Sequence, residues 1–220
     1  MVDTRHEYDR VAGLYLPIAV GVAVAIVGLV IAFALRYRVR EGTTRPPSRL
    51  SSAPRTEAAF VLALAAVAAL LLWRTFSVEA RVDRGASGAP VQVNVTAAKW
   101  HWRFDYPQYG IAQRGTDRRP PTLVVPAGTR VGFTLRSVDV IHAFWIPALR
   151  FKRDATPGLK TTFSMTFPHP GFTRDGGECS EYCGLNHALM RFDVRVLPRA
   201  AFVQWAAARR AAAGAAGARP

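Results

Sequence analysis

The sequence predicts two membrane-spanning helices at the N-terminus, followed by a single all-β domain. Three observations predict it. Residues 14–35, "LYLPIAVGVAVAIVGLVIAFAL", form 22 positions without a charge, enough for a helix that needs about 20 residues to cross a bilayer. Residues 58–73, "AAFVLALAAVAALLLW", form a second uncharged run of 16. From 91 to 198, short segments alternate apolar and polar residues between turn signals, which is the period of strands.

In chain order, 1–13 is a short polar segment and 14–35 the first span. The run is too long for a signal-peptide core, and no small-x-small cleavage site follows it. Residues 36–57 carry six arginines, Arg36, Arg38, Arg40, Arg45, Arg49 and Arg55, against Glu41 and Glu57. Positive loops stay in the cytoplasm, so the loop lies inside, and the N-terminus and the β domain lie on the outer face of the plasma membrane. The second span is 58–77: "TFSV" extends it and Arg74 snorkels. It has no polar face, which argues against a soluble amphipathic helix. Residues 78–90, rich in Gly and polar residues, read as a linker.

The β domain covers 91–200. "VQVNVTA", "WHWRFDY", "TLVVPAG", "RVGFTLRSV", "HAFWIPAL", "TTFSMTF" and "RFDVRVL" each read as a strand, and about eight strands with no long helix suggest an antiparallel sandwich or barrel. Residues 201–220 start as a short helix and pass into Ala/Gly low complexity.

The net charge is +14. Arginines are spread along the chain with no helix-turn-helix or zinc-finger pattern, which excludes nucleic acid as the partner. Residues 81–220 hold 20 basic and 9 acidic residues, so the β domain itself is strongly basic.

The only two cysteines, Cys179 and Cys183, fall in "ECSEYCGLNHALM", together with His187 and Met190. A disulfide leaves the imidazole and thioether unexplained. Zinc has no use for methionine. Thiolate, imidazole and thioether together suit copper, and two thiolates can bridge two copper ions. Each ion then needs a strong nitrogen ligand. His187 is one. For the other, the candidates are His6, His101, His169 and His142 in "DVIHAFWIP"; His142 follows a strand at the end where sandwich loops gather, and the resemblance given next also favours it. Met190 is a weak axial donor, and the backbone carbonyl of Glu181 is a hard one.

"DVIHAFWIPALRFKRDATPG" and "CSEYCGLNHALMRFDVRVL" resemble the binuclear copper (CuA) motif of subunit II of haem–copper cytochrome c oxidases. The resemblance implies a cupredoxin-like sandwich and copper ligands His142, Cys179, Glu181 (through its carbonyl), Cys183, His187 and Met190. It implies electron entry at Trp100 in "KWHWRFDY", and magnesium at the Glu181 side chain, shared with the catalytic subunit. It places Glu57 at the entrance of a proton path, although "EAAFVLAL" lacks the tryptophan and proline that follow in the family. The implied function is the electron-entry subunit of a respiratory terminal oxidase, part of an oxidoreductase and translocase but unable to reduce oxygen alone. Its implied partners are the haem-containing subunit I, subunit III, a cytochrome c-type donor and membrane lipid. The family's outer face is acidic near this tryptophan. Here the domain is basic, although Asp105, Asp117, Asp139 and Asp154 offer an acidic cluster. The alternatives are the CuA subunit of a nitric oxide reductase and a membrane-anchored copper-delivery protein.

Overall fold

The structure is a computed structural model and describes residues 4–38, 52–84, 86, 88–116 and 119–217. Most of the arginine-rich loop, with Arg40, Arg45 and Arg49, lies outside the described residues, as does Asp117. The chain divides into two compact units, 9–77 on the one hand and 1–8 with 78–220 on the other.

The first unit holds most of α1 (Thr4–Arg36) and of α2 (Pro54–Arg84), both long and apolar enough to cross a membrane. At 1.5 Å per residue each exceeds the roughly 30 Å of a hydrocarbon core. Their apolar side chains are exposed on all sides, as lipid-facing helices require. Tyr15 Oη donates to the Leu71 carbonyl at 2.9 Å and lies 2.6 Å from Thr75 Oγ1, which ties the two helices together. Glu57 sits in the first turn of α2, and its Oε1 accepts the Ala53 N–H at 2.9 Å, capping the helix. The polar segment after the second apolar run continues α2 as far as Arg84.

The second unit is a sandwich of two five-stranded sheets. The strands are β1 (Val91–Ala98), β2 (His101–Tyr106), β3 (Ile111–Arg114), β4 (Thr122–Pro126), β5 (Arg130–Ser137), β6 (His142–Ile146), β7 (Phe151–Ala155), β8 (Thr161–Thr166), β9 (Gly171–Cys179) and β10 (Arg191–Leu197). One sheet has the order β3-β2-β1-β5-β8 and the other β4-β10-β9-β6-β7. The pairing is not wholly antiparallel, as the alternation suggested: β1 runs parallel to β5, and β10 parallel to β4. Alternation fixes which side of a strand is buried but not which strand lies next to it.

The alternate residues of β2 show the rule at work. Trp102, Phe104 and Tyr106 are fully buried, while Arg103 points out. Between the sheets, Phe144 stacks on Phe192 with centroids 4.9 Å apart, and Trp102 meets both edge-on at 5.7 Å. Such pairs add about 0.5–1.5 kcal/mol each beyond burial. The C-terminal helix α3 (Arg199–Gly217) is longer than the short helix expected, in keeping with alanine's high helix propensity. Phe202 and Ala206 are buried, and Trp205 packs against Tyr106 at 5.4 Å.

Tyr106 is buried, and its Oη accepts the Val124 N–H at 2.8 Å. Burial, only partly offset by that bond, raises its pKa well above the usual value. Its contribution to stability is therefore complete below about pH 10 and lost above it, where the unfolded chain releases a proton that the folded chain keeps. The thermal stability of the detergent-solubilised chain is expected to fall from about pH 10 upward. Tyr106→Phe is expected to flatten that alkaline slope while costing about 1–3 kcal/mol at neutral pH, because the Val124 N–H loses its acceptor. An unchanged slope in the variant contradicts this.

Candidate metal centre

The site lies where one edge of a strand pair meets a returning loop. β6 begins at His142 and β9 ends at Cys179. These strands pair antiparallel, with Phe144 opposite Cys179, and the Ser180 N–H donates to the Ala143 carbonyl at 3.2 Å. That register brings His142 beside Cys179. The chain then loops through 180–190 and returns as β10, with Arg191 opposite Glu178. The Cys179 N–H donates to the Met190 carbonyl at 3.0 Å and closes the loop.

Gly184 lets the loop turn. Its φ is +113°, and a Cβ there would lie 3.4 Å from the Trp100 ring. Its carbonyl accepts the His187 N–H at 3.1 Å, which starts a short 3-10 turn over His187–Leu189. Two indoles hold the loop against the sheet of β2: Trp100 Nε1 donates to the Cys183 carbonyl at 3.1 Å, and Trp102 Nε1 to the Met190 carbonyl at 3.3 Å.

All six residues singled out in the two motifs converge. Cys179 Sγ lies 3.8 Å from Cys183 Sγ, 3.7 Å from His142 Nδ1 and 3.2 Å from the Glu181 carbonyl oxygen. Cys183 Sγ lies 3.5 Å from His187 Nδ1 and 3.9 Å from Met190 Sδ. Both cysteines are free thiols and buried. His142, Cys179 and Cys183 present their donor atoms within 4.8 Å of one another. A soft, compact set of two thiols, two imidazole nitrogens, a thioether and a carbonyl fits copper better than a hard cation.

The electrostatics are those of two acids that share a pocket. Burial raises both thiols. At Cys179 the hydrogen bonds from His142, from the backbone and from His187 outweigh burial and lower the pKa to about 7. At Cys183 burial and the neighbouring Cys179 charge act together and push it up to about 12. Burial opposes the His142 imidazolium, but Cys179 and Asp139 outweigh it and raise the pKa.

Asp139 is the residue that motif reading missed as part of the centre. Its Oδ1 lies 2.9 Å from His142 Nε2, on the far side of the ring from Cys179. Burial raises its pKa, but the Lys99 and Val140 N–H groups and His142 outweigh this and hold it at about 2. The signal was present as D-x-x-H, a carboxylate three residues before a candidate ligand.

The other predicted residues fall as follows. Trp100 is in the turn before β2, partly exposed, with its ring on Gly184. The Glu181 carboxylate lies 3.6 Å from Lys152 Nζ, while its carbonyl oxygen lies 3.2 Å from Cys179 Sγ. Glu57 belongs to the other unit. The described acidic residues named above are each turned to a partner: Asp105 to Arg103, Asp139 to His142, Asp154 to Lys152.

Residues 111–197 match the family model for the periplasmic domain of cytochrome c oxidase subunit II, and this span contains all six converging residues. The β domain belongs to the cytochrome c oxidase subunit II family. The chain is 38% identical over 149 residues to cytochrome c oxidase subunit 2 of Bacillus sp. (strain PS3), a match that covers 66% of this chain and 40% of that protein. It is 30% identical over 205 residues to the same subunit of Alkalihalophilus pseudofirmus, across 90% of this chain and 57% of that protein. The chain thus spans about half the length of these relatives. The crystal structure of the periplasmic domain of subunit II of cytochrome oxidase from Bradyrhizobium japonicum superposes with a TM-score of 0.50 at 26% identity, covering 57% of this chain and 96% of that one. The cupredoxin-like sandwich expected from the motifs is therefore the fold of the subunit II domain.

Asp139→Asn keeps an acceptor for the backbone N–H groups but weakens the hold on His142. Copper affinity, read by chelator competition, is expected to fall roughly ten- to hundred-fold. Unchanged affinity contradicts the positioning role.

Proposed function

We propose that this chain is the electron-entry subunit of a respiratory terminal oxidase. It takes electrons from a cytochrome c-type donor and passes them to haem in the catalytic subunit I, where oxygen is reduced. The single observation that carries the reading is the convergence of the six donors from two distant segments into one buried cluster.

His142, Cys179, Cys183, His187, Met190 and the Glu181 carbonyl would hold two copper ions there. When bound, the copper pair supplies a one-electron acceptor and donor. The chain's own residues do the rest. Asp139 fixes the His142 ring. Trp102, Phe144 and Phe192, all fully buried, keep water from the rear of the site. Trp100 is the electron-entry residue: its ring reaches the surface, and its N–H is bonded to the carbonyl of Cys183.

Two apolar helices support a multi-pass membrane anchor. Thr4 Oγ1 donates to the Leu149 carbonyl at 3.1 Å, and Glu7 pairs with Arg81 at 2.8 Å. These contacts favour an N-terminus on the same side as the sandwich, which the positive charge of the 36–57 sequence would make the outer face. Subunit III as a further partner, and magnesium at the Glu181 side chain, rest on the family resemblance. Lys152 is the cation that magnesium would displace. A proton-path role for Glu57 rests on its place at the start of α2, where it also caps the helix.

The test is the rate at which a reduced c-type cytochrome transfers electrons to the copper-loaded chain. Trp100→Leu is expected to slow transfer by roughly tenfold or more, which corresponds to about 1.4 kcal/mol of barrier, with the copper spectrum unchanged. An unaltered rate overturns Trp100 as the entry point, and no transfer in the wild type overturns the function.

A further inference from the structure

The outer face of the sheet that carries Trp100 is a basic surface. Strand register aligns Arg114 of β3 with Arg103 of β2, Arg103 with Thr96 of β1, and Thr96 with Arg136 of β5. Three arginines thus stand in one row across four strands, roughly 14 Å at the usual strand spacing. All three are exposed. Arg136 Nε donates to Thr96 Oγ1 at 3.1 Å, and Arg114 Nη2 lies 3.4 Å from His101 Nε2. Lys160, also exposed, lines a shallow pocket with Arg136 on this face. The acidic residue in the strands of this face, Asp105, is already engaged by Arg103 at 2.8 Å.

The proposed electron-entry residue, Trp100, lies three residues before Arg103 of this row. Trp100 immediately precedes β2, and exposed Lys99 precedes Trp100. Leu185, 88% exposed, follows the glycine on which the Trp100 ring rests. An apolar contact point beside a charged field has the anatomy of a transient protein interface.

We infer that this face docks an acidic electron-donor protein, with donor carboxylates meeting Arg103, Arg114, Arg136 and Lys160 while the donor's redox group approaches Trp100. The inference rests on the electron-entry reading. Complementary charge of this kind acts mainly on encounter rate and is screened by salt. A lysine-rich cytochrome would meet like charge here.

The test uses the full copper-loaded chain in non-ionic detergent and two forms of one probe: a lysine-rich cytochrome c, and the same protein with its lysines succinylated, which makes it acidic. Association and electron transfer are measured separately, at low salt and near 0.15 M, where the Debye length is about 8 Å. The succinylated form is expected to bind more tightly and to lose roughly tenfold in affinity as salt rises. A triple variant, Arg103→Glu, Arg114→Glu and Arg136→Glu, is expected to weaken its binding by roughly tenfold at low salt, with the copper spectrum retained. A control triple on the other sheet and α3, Arg174→Glu, Arg195→Glu and Arg199→Glu, changes net charge equally and should have little effect.

Preference for the unmodified cytochrome overturns the inference. So does an equal loss in the control triple, or binding to phosphatidylglycerol vesicles without binding to the succinylated cytochrome. Expected binding with no electron transfer leaves the docking face standing and removes the electron-entry function instead.

Discussion

Two buried thiols 3.8 Å apart are the constraint from which the rest of the structure follows. Two thiolates at that distance repel by about 4 kcal/mol at an effective dielectric of about 20. Desolvation adds to the cost. The domain relieves it unequally: Cys179, beside His142 and several N–H donors, ionises readily, and Cys183 then does not. Metal bound by these two sulfurs would relieve the conflict, as the proposed copper centre requires.

Backbone pairing, not the ligands themselves, keeps the cluster together. β9 is shared between β6 and β10 at Glu178, the residue before Cys179. One neighbour delivers His142 and the other delivers Met190. The loop between cannot drift, because the indoles of Trp100 and Trp102 hold the carbonyls of Cys183 and Met190. Behind it, Gly177 leaves room for the Phe192 ring, which occupies the space that a side chain there would need. A preformed cage of this kind would suit the proposed electron-transfer role.

Much of this was legible in the sequence, for reasons that differ by residue. Charge-free runs showed both apolar helices. The strands with clean alternation, such as β1, β5 and β10, were visible because one side of each is buried. β3, β7 and β9 were not among the strands read. β9, "GFTRDGGEC", exposes its first five residues and carries three glycines, so its membership in the sheet comes from its neighbours and not from its own pattern. The parallel pairs were hidden for the same reason. The ligand candidates were readable because soft donors at short spacing are rare. Asp139 was named only for its charge, since its role depends on the orientation of the His142 ring. The basic row on the sheet of Trp100 needed strand register, because its three arginines come from three different strands.

The most direct test of the central claim is copper stoichiometry together with the low-temperature EPR spectrum of the copper-loaded protein. One electron shared equally by two copper nuclei gives a seven-line hyperfine pattern, and one electron on a single copper gives four lines. The account predicts two coppers per chain and the seven-line pattern. One copper with four lines, or no copper with Cys179 and Cys183 oxidised to a disulfide, would contradict it and turn the chain into a copper carrier or a structural domain.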